Sequence, residues 1–417
     1  MRVLWFSPTP SMYNETKAGG WVASLEQVLR QYLPDVSLGI AFDYVGGAKV
    51  TKGNVTYYPM SPMTAECSPL DKLRIKLGKI AVDPQYVSRT LSIVDDFKPD
   101  VIQCFGSEWP YGLIADYTDV PVVIHMQGFL NIYNLESSLA FNKFDILRSE
   151  GFGAKSLYHA MFDDNASRTA DMLEQKIMKA NSFFMGRTKW DQEIVKYFSP
   201  SARYFHCEEA LRPVIYESGT TWEWNGEGIP SLITITQAGT LKGNEMILRT
   251  AKLLKDQFHL DFVWKVAGDR RSFARFERKT GIKHEDVGID LLGMISADQI
   301  VRELCSARLY VHPAIIDNSP NSLCEAQVIG CPVVASYVGG IPSLVRDGET
   351  GFLYPYEEPY ALAFKVMDLM GDRNSLKTVS CAEREIALRR HDPVGIARTI
   401  SHVYSEMLSS TNAKEDY

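Results

Sequence analysis

The segment from Tyr310 to Ser336 constrains the fold of this chain more than any other stretch of its 417 residues. An apolar run that ends at Val311 has the composition of a buried strand, and two prolines bound the loop that follows it. Residues 322–329 are typical of a short helix, and residues 331–336 of a second buried strand. This succession predicts a parallel α/β sheet whose loops open at the C-terminal ends of the strands.

Two carboxylates stand near the start of that helix. Asp317 lies on the loop and Glu325 about one turn into the helix, with seven residues between them. The first N–H groups of a helix have no partner inside the helix, so they favour a bound anion. A phosphate held there would leave one carboxylate on each side to accept hydroxyl hydrogens. The pattern therefore predicts a phosphorylated sugar as the ligand.

Two further segments combine a strand, a glycine-containing loop and a helix. In the second half, the strand of residues 231–236 is followed by Gly-Thr-Leu-Lys-Gly at residues 239–243. Lys242 would supply charge for an anion in this loop, and the backbone amides would supply direction. Near the N-terminus, Gly19 and Gly20 follow the first strand, where glycine lets amides approach a diphosphate directly. A plain turn is the alternative interpretation of this glycine pair.

Polar residues also stand at the ends of predicted strands in the first half. His125 ends the strand that begins near Pro121, and a side chain at the C-terminal end of a parallel strand faces the ligand edge. Glu108 follows another strand and is a candidate for contact with an acceptor. Arg187 follows a third strand, and it could meet a charged acceptor or form an ordinary salt bridge.

Residues 70–80 interleave aliphatic and cationic side chains. Leu70, Leu73, Leu77 and Ile80 would share one face of a helix and leave the cations exposed at its sides. Two interpretations stay open for this stretch. It is either a surface that touches anionic lipid or a pyrophosphate-linked acceptor, or an amphipathic surface helix with solvated lysines.

Composition and absent motifs exclude several classes of protein. A formal net charge of −7 argues against a nucleic-acid partner. No Gly-x-Gly-x-x-Gly follows the first strand and no P-loop motif occurs, which argues against dinucleotide enzymes and P-loop NTPases. No metal-ligand spacing is found, so no metal and no cofactor is predicted. Seven scattered cysteines, no signal peptide and no membrane-spanning apolar run predict a cytoplasmic protein, with peripheral contact to the inner face of a membrane as an option.

The two carboxylates belong to a longer pattern that resembles a known family. A carboxylate, seven residues, Glu-Ala, Gly-x-Pro-Val-Val-Ala and then Gly-Gly is similar to the nucleotide-sugar signature of glycosyltransferase family 4. This chain has Asp317 where Glu is commoner. Its loop at residues 239–243 resembles the family's Gly-Arg…Lys-Gly loop, with Thr240 where Arg is usual. Arg270 or Arg271, after the strand that ends near Gly268, could supply the missing charge.

The resemblance implies the GT-B fold, in which two doubly wound, Rossmann-like parallel-sheet domains face a central cleft. It implies an acceptor-side domain over residues 1–200 and a donor-side domain over residues 215–390. Within residues 391–417, a C-terminal helix would cross back to the first domain.

The implied reaction is retaining, metal-independent transfer of a sugar from a nucleotide diphosphate sugar, commonly UDP-linked, to a glycan or lipid-linked glycan acceptor. Lys242 would neutralise the leaving phosphate and Glu325 would accept a ribose hydroxyl. Asp317 would accept donor-sugar hydroxyls, and His125 would contact the sugar from the other domain. The predicted donor-binding residues are Gly19, Gly20, Gly239, Thr240, Arg270, Ile295, Ser319, Asn321, Ser322 and Leu323. Bacterial members of the family often build surface polysaccharide or other glycoconjugates.

Two functions from other classes stay open. A GT-B-type sugar-nucleotide epimerase would share the fold, although it would not be expected to carry this Asp317…Glu325 pattern. A non-catalytic, sugar-nucleotide-binding partner of a transferase is the second alternative, because the loop around Lys242 is shorter than the family's usual loop.

Overall fold

A computed structural model of the protein describes residues 1–14, 20–62, 67–77, 79–80, 82–150, 153–236 and 239–415. The chain divides into two compact units. Unit 1 comprises Met1–Asn134, Met161–Arg212 and His391–Tyr417, and unit 2 comprises Leu135–Ala160 and Pro213–Arg390.

Strands and helices alternate along most of the chain. The strands are β1 (Arg2–Ser7), β2 (Ser37–Asp43), β3 (Val50–Lys52), β4 (Val55–Met60), β5 (Val101–Phe105), β6 (Val122–His125), β7 (Phe183–Gly186), β8 (Arg203–His206), β9 (Ser231–Ile235), β10 (Val263–Ala267), β11 (Ile289–Gly293), β12 (Leu309–His312), β13 (Val333–Ser336) and β14 (Phe352–Tyr354). The helices are α1 (Gly20–Tyr32), α2 (Pro69–Lys76), α3 (Tyr86–Phe97), α4 (Leu130–Ala140), α5 (Lys143–Glu150), α6 (Ala154–Ala180), α7 (Lys189–Phe198), α8 (Pro213–Tyr216), α9 (Asn244–Asp256), α10 (Arg270–Thr280), α11 (Ala297–Ser306), α12 (Asn321–Ile329), α13 (Ile341–Leu344), α14 (Pro359–Met370), α15 (Arg373–Arg390) and α16 (Pro393–Glu415). Two short 3₁₀ helices cover Pro110–Asp116 and Glu285–Val287.

The sheet of unit 1 is doubly wound. Its strand order is β3-β4-β2-β1-β5-β6-β7-β8, and its strands pair in parallel except for the antiparallel β3–β4 pair. The chain winds outward from β1 to one side and then returns to begin β5 on the other side. Strands such as β1 and β5 are mostly apolar and almost entirely buried, as expected for a sheet covered on both faces. The order reverses between β1 and β5, so the loops after these strands open at the switch point of this sheet.

The C-terminal helix completes the core of unit 1. Side chains of α16, among them Ile400, Val403 and Tyr404, are fully buried and pack in one cluster with Trp5 of β1 and Leu25 of α1. Residues 391–417 therefore lie in the same unit as the first strand of the chain, although almost the whole sequence separates the two.

The sheet of unit 2 is entirely parallel, in the order β11-β10-β9-β12-β13-β14. The chain winds from β9 to β11 on one side and from β12 to β14 on the other. The order reverses between β9 and β12, which are hydrogen-bonded neighbours. In sheets of this kind, ligands bind outside the C-terminal ends of the two strands at the reversal.

One segment joins a different unit from the one its sequence position suggests. Residues 135–160 fall within the predicted N-terminal domain of residues 1–200, but the structure groups them with unit 2. The reason is packing on α10, where Phe141 contacts Phe276 edge to face and Lys279 Nζ donates to the carbonyl of Ala140. The boundary at Arg212 and Pro213 lies in the predicted junction.

The amphipathic stretch of residues 70–80 is helical only in its first part. Helix α2 ends at Lys76, two positions before Gly78, a residue that disfavours helix. Among the helices that the structure describes, none combines the length and the apolar character needed to cross a membrane.

Candidate functional site

An ion pair lies at the switch point of the unit 2 sheet. Lys242, in the loop after β9, places its Nζ 2.7 Å from Oδ2 of Asp317, in the loop after β12. His312 ends β12 and places Nε2 3.4 Å from the same oxygen. The other carboxylate oxygen accepts a hydrogen bond from the backbone N–H of Asn318 at 3.1 Å. Lys242 and Asp317, which two separate sequence motifs singled out, are therefore in direct contact.

The charge state of Asp317 follows from this environment. Burial by itself would raise the pKa of the Asp317 carboxyl, because a charged group is poorly solvated inside a protein. The charge of Lys242, together with the contact to His312, outweighs burial and holds the pKa of Asp317 below its ordinary value. Asp317 is therefore an ionised carboxylate at neutral pH, able to accept hydrogen bonds and unable to donate one.

A chain of polar contacts extends from Asp317 through His312 to the start of α12. The Tyr310 hydroxyl lies 3.1 Å from Nδ1 of His312, and it donates to Oγ of Ser322 at 2.8 Å. His312 and Tyr310 were not among the predicted site residues. The signal that could have found His312 is the one used for His125, a polar residue at the C-terminal end of a buried parallel strand.

Two glycines let the loops of this site approach one another. A Cβ at Gly243, which has φ +74°, would lie 1.8 Å from the carbonyl oxygen of Pro313. A Cβ at Gly339, with φ +50°, would lie 2.2 Å from the carbonyl oxygen of Asp317, and the next residue, Gly340, donates its N–H to that oxygen at 3.0 Å. Only glycine fits at such a distance and in such a conformation. The Gly-Gly of the motif therefore positions the backbone of Asp317.

The residues at the start of α12 differ in their access to a ligand. Ser319 is buried, and its hydroxyl has no hydrogen-bond partner among the described residues. Asn321 and Ser322 form the partly exposed first turn of α12. Leu323 has no exposed surface and its N–H donates to the carbonyl of Pro320, which argues against its predicted contact with the donor. Glu325 is 3% exposed, one turn into the helix, and its predicted contact with ribose stays a prediction.

The loop after β9 has partners that the sequence did not indicate. The N–H of Gly239 donates to Oγ of Ser272 at 3.3 Å. The hydroxyls of Thr240 and Ser137 lie 2.7 Å apart, which joins this loop to the segment of residues 135–160 within unit 2. Ser137 was not predicted, because nothing in the sequence relates α4 to a loop 100 positions further on.

Arg270 and Arg271, which could supply the charge that Thr240 lacks, lie at the start of α10. Arg270 donates from Nη2 to the carbonyl of Leu291, within β11, at 2.7 Å. The Arg271 side chain is 96% exposed. Ile295, in the loop after β11, is partly buried. Donor contacts by Arg270 and Ile295 stay predictions.

In unit 1, His125 is buried at the end of β6. Its ring packs against those of Trp21 and Phe105, at centroid distances of 5.1 Å and 5.7 Å. Nδ1 lies 3.2 Å from Nε2 of Gln103, and Nε2 of His125 has no hydrogen-bond partner among the described residues. Burial, reinforced by the charge of Arg187, lowers the pKa of His125 well below its ordinary value, so the imidazole is neutral.

The two predicted acceptor contacts also lie in unit 1 and have different surroundings. Burial raises the pKa of Glu108 to about 7, and its Oε2 has no hydrogen-bond partner in the part of the chain that the structure describes. Arg187 is buried, forms an ion pair with Glu209 and donates from Nη2 to the carbonyl of Met126 at 3.3 Å. For Arg187 this geometry favours the salt-bridge interpretation over the predicted acceptor contact.

One residue of the predicted glycine pair, Gly20, lies at the beginning of α1. Gly20 is the first residue of that helix, exposed and with φ +56°, a conformation that favours glycine. Gly19 lies outside the described residues. Within the ranges described, no group of three or more His, Cys, Asp or Glu side chains is arranged to hold a metal ion.

Comparisons with known proteins agree with these motifs. A sequence model of the family "Glycosyl transferases group 1" matches residues 230–372, which lie in unit 2 and include Lys242, Asp317 and Glu325. A protein named colanic acid biosynthesis glycosyltransferase WcaL, from Salmonella typhimurium, is 26% identical over 186 residues, or 42% of this chain and 45% of WcaL. The chain spans less than half the length of the curated relatives it matches first.

Solved structures resemble nearly the whole chain in fold. Sucrose-phosphate synthase from Thermosynechococcus elongatus has a TM-score of 0.70 at 14% identity, covering 98% of this chain and 99% of that one. Anabaena Alr3699/HepE in complex with UDP-glucose has a TM-score of 0.64 at 15% identity, covering 97% of this chain and 100% of that one. At such low identity the similarity concerns the fold alone. Residues 230–372 are therefore similar to the group 1 glycosyltransferases, and over 98% of its length the chain has the GT-B fold that its motifs predict.

Proposed function

We propose that the protein is a retaining, metal-independent glycosyltransferase that moves a sugar from a nucleotide diphosphate sugar to an acceptor hydroxyl, with UDP as the favoured nucleotide. The observation that carries the proposal is the Lys242–Asp317 pair, 2.7 Å apart at the reversal of the unit 2 sheet. A cation, a carboxylate and the N-terminus of α12 in one place match the chemistry of a phosphorylated sugar.

The leaving group sets the main demand on the site. As the bond to the sugar breaks, negative charge develops on the β-phosphate oxygens of the departing nucleoside diphosphate. Without ligand, the charge of Lys242 is neutralised by Asp317. A bound diphosphate competes for the same ammonium group, so Lys242 turns to phosphate and Asp317 becomes available to sugar hydroxyls. The amides of Asn321 and Ser322 and the buried hydroxyl of Ser319 supply further donors toward the same phosphate.

Retention without a protein nucleophile completes the proposed mechanism. Asp317 holds hydroxyls of the donor sugar, while Glu325 accepts from the ribose. The departing phosphate itself takes the proton of the acceptor hydroxyl, so that attack occurs on the face from which the nucleotide leaves. No step uses a metal ion. Activity in excess EDTA equal to activity without it is the expected outcome, whereas a loss restored by Mg²⁺ or Mn²⁺ would contradict this part of the proposal.

The similar proteins support a class of sugar donor and a biological role for this chain. HepE is described in complex with UDP-glucose, and WcaL is named for colanic acid biosynthesis. We infer a UDP-sugar donor, a glycan or lipid-linked glycan acceptor, and a role in assembly of a bacterial surface polysaccharide or glycoconjugate in the cytoplasm.

Helix α2 is the surface that we propose for peripheral membrane contact. Leu70, Leu73 and Leu77 are 57%, 51% and 45% exposed, so the apolar face of this helix is not covered by the described part of the chain. Lys72 and Arg74 are exposed beside them, and such cations suit an anionic lipid surface. Exposure of the leucines favours this interpretation over an ordinary amphipathic helix, whose apolar face would pack on the protein.

Vesicle sedimentation tests the role of α2. Wild-type protein is expected to sediment with phosphatidylglycerol vesicles and less with phosphatidylcholine vesicles. A variant with Leu70, Leu73 and Leu77 replaced by Asn should stay in the supernatant. Tyr197→Asn is the matched control, because that side chain is 78% exposed on another helix of unit 1. Equal sedimentation of wild type and the α2 variant would overturn the assignment.

Binding of the donor is tested by thermal shift with UDP, GDP, ADP and their glucose conjugates. A ligand at 100 times its dissociation constant adds about 2.7 kcal/mol to the free energy of unfolding. UDP and UDP-glucose are expected to give the largest shifts. If none of the nucleotides raises the melting temperature, the proposed donor class is wrong.

Turnover is tested with Lys242→Ala. Loss of one charged donor at the developing phosphate charge costs about 3–4 kcal/mol of barrier, so release of UDP from UDP-glucose in the presence of acceptor should fall at least about 100-fold. Lys252→Ala is the control, since Lys252 pairs with Asp256 on the exposed face of α9 in the same unit. Near-wild-type turnover in Lys242→Ala would remove Lys242 from the mechanism.

The same assay separates the alternatives. Formation of a 2-epimer from a UDP-sugar without acceptor would establish the epimerase. Stabilisation by UDP without turnover on any lipid or glycan acceptor would establish a non-catalytic binding partner.

A further inference from the structure

A chain of buried hydrogen bonds connects the C-terminal helix to His125 within unit 1. The indole N–H of Trp5 on β1 donates to the hydroxyl of Tyr404 on α16 at 3.1 Å. That hydroxyl donates to Oε1 of Gln103 on β5 at 2.5 Å, and Nε2 of Gln103 lies 3.2 Å from Nδ1 of His125. Trp5, Tyr404, Gln103 and His125 have no exposed surface.

The chemistry of each group gives the chain a direction. An indole N–H can only donate, so the Tyr404 oxygen acts as acceptor toward Trp5. The single hydroxyl hydrogen of Tyr404 is then used on Gln103 Oε1. This orients the Gln103 side chain with its NH₂ group toward the imidazole. An amide NH₂ only donates, so Nδ1 of His125 must accept, and the ring proton must reside on Nε2.

The flipped orientation of Gln103 satisfies fewer groups. With its NH₂ group toward Tyr404, the tyrosine oxygen would accept two hydrogens and its own hydroxyl hydrogen would lose the only acceptor that the structure gives it. A buried polar hydrogen without a partner is unfavourable, so the chain of donors favours one orientation of the amide and one tautomer of the histidine.

The other ring nitrogen of His125, Nε2, has no partner in the part of the chain that the structure describes. Nε2 is buried, yet no described residue accepts a hydrogen bond from it. The rings of Trp21 and Phe105 contact the imidazole and restrict its rotation. The ring is also neutral, since burial and Arg187 lower the pKa of His125. His125 therefore has a single N–H donor, at Nε2, in a fixed position.

We propose that Gln103 and Tyr404 are positioning residues that hold His125 in its Nε2–H tautomer, so that it presents one hydrogen-bond donor to a sugar hydroxyl. The assignment of that hydroxyl to a sugar substrate rests on the proposed function, whereas the assignment of the tautomer does not. Tyr404 on α16 thereby fixes the tautomer of His125 on β6, although Tyr404 itself touches no ligand.

The tautomer is measured by long-range ¹H–¹⁵N NMR on ¹⁵N-histidine-labelled protein, with His125 identified among the eight histidines by the signal missing in His125→Asn. Wild type is expected to show the Nε2–H pattern, unchanged from pH 6 to pH 8. Gln103→Glu, which places only acceptor oxygens beside Nδ1, should move the proton to Nδ1. Tyr404→Phe, which frees the amide to flip, should give a mixture of tautomers.

A matched control and two contrary outcomes define the test. Tyr111→Phe removes another buried tyrosine hydroxyl of unit 1, one that donates to the carbonyl of Ser7, and should leave the His125 tautomer unchanged. An Nδ1–H tautomer in wild type, or an Nε2–H tautomer that persists in folded Gln103→Glu, would overturn the proposal.

Kinetics separate this inference from the proposed function. If UDP-glucose is a donor, Gln103→Glu should lower kcat at least about ten-fold, in parallel with its reversed tautomer. If the protein turns over no nucleotide sugar, the proposed function fails while the NMR result still decides the tautomer. A reversed tautomer with unchanged kcat would keep the positioning of His125 and refute its contact with the sugar.

Discussion

Two carboxyl groups illustrate how the surroundings of a residue decide its charge. Asp317 and Glu108 both lie at C-terminal strand edges, and burial raises the pKa of each. Asp317 has Lys242 at 2.7 Å, so its pKa falls below the ordinary value; its stabilising contribution is present at neutral pH and is lost only as the pH falls through that lowered pKa. Glu108 has no such partner, and its pKa rises to about 7. The first is a permanent acceptor, and the second changes charge near neutrality.

Glu108→Gln should stabilise the protein at high pH. With a pKa raised from 4.5 to about 7, the folded protein keeps a proton that the unfolded chain loses, so Glu108 lowers stability as the pH rises through this window. Glutamine stays neutral. The gain in unfolding free energy should be small near pH 5 and reach up to about 3 kcal/mol at pH 8, at 1.36 kcal/mol per pKa unit.

Thermal unfolding at several pH values measures this gain. Glu193→Gln is the control for loss of a carboxylate at an exposed position of unit 1. A difference between Glu108→Gln and wild type that does not change between pH 5 and pH 8 would show that Glu108 has an ordinary pKa.

At the level of elements, the site depends on three loops that meet at the backbone. The loops after β9 and β12 are joined by a hydrogen bond from the N–H of Ile315 to the carbonyl of Leu241 at 2.8 Å, and Gly243 permits their close approach. The turn after β13 closes on the carbonyl of Asp317 through Gly339. Strand order brings these loops to one edge, and glycine lets them come close enough for Lys242 to reach Asp317.

Gly339→Ala should weaken ligand binding through the position of Asp317. The added Cβ would lie 2.2 Å from the Asp317 carbonyl oxygen, so the loop must shift and carry the carboxylate with it. The left-handed conformation adds about 1–2 kcal/mol of strain. Isothermal titration with UDP-glucose should show an affinity at least ten-fold lower than that of wild type.

Gly348 provides a control that distinguishes backbone strain from displacement of Asp317. Gly348 also has a positive φ, +76°, but a Cβ there meets nothing within 4 Å. Gly348→Ala should therefore lose stability by a similar strain and keep wild-type affinity for UDP-glucose. If both variants bind alike, the contact between Gly339 and Asp317 does not position the site.

At the scale of the whole molecule, each unit is assembled from distant parts of the chain. Unit 1 combines three segments, and unit 2 combines two. The core of unit 1 includes Ile396, Ile400 and Met407 from α16, all 3% exposed or less, packed with residues of α1 and β1. Unit 1 can therefore complete its core only after the last helix is available, whereas most of unit 2 is one continuous stretch.

Deletion of residues 391–417 should unfold unit 1 and leave unit 2 folded. Loss of α16 exposes the apolar side chains of α1 and β1 that pack against it, which removes several kcal/mol of burial from a unit with limited stability to lose. Limited proteolysis should digest segments of unit 1 and leave a protected fragment near residues 213–390. A deletion of residues 412–417 is the control and should remain resistant throughout.

The local pattern of the sequence determined the alternation of strands and helices, both parallel sheets and the Asp317…Glu325 segment. Turn residues, apolar runs and helix starts are read from neighbours in sequence, so these features need no tertiary information. Local patterns also indicated two candidate residues: a glycine-containing loop indicated Lys242, and the end of a strand indicated His125.

Only the tertiary structure decided which of these residues touch. It paired Lys242 with Asp317 across 75 positions and Tyr404 with Gln103 across 301, placed residues 135–160 in unit 2 and buried Leu323. The physical reason is that burial and hydrogen-bond partners depend on chain segments brought together by strand order. A single sequence records the residue types that can make such contacts, while the fold selects the partners.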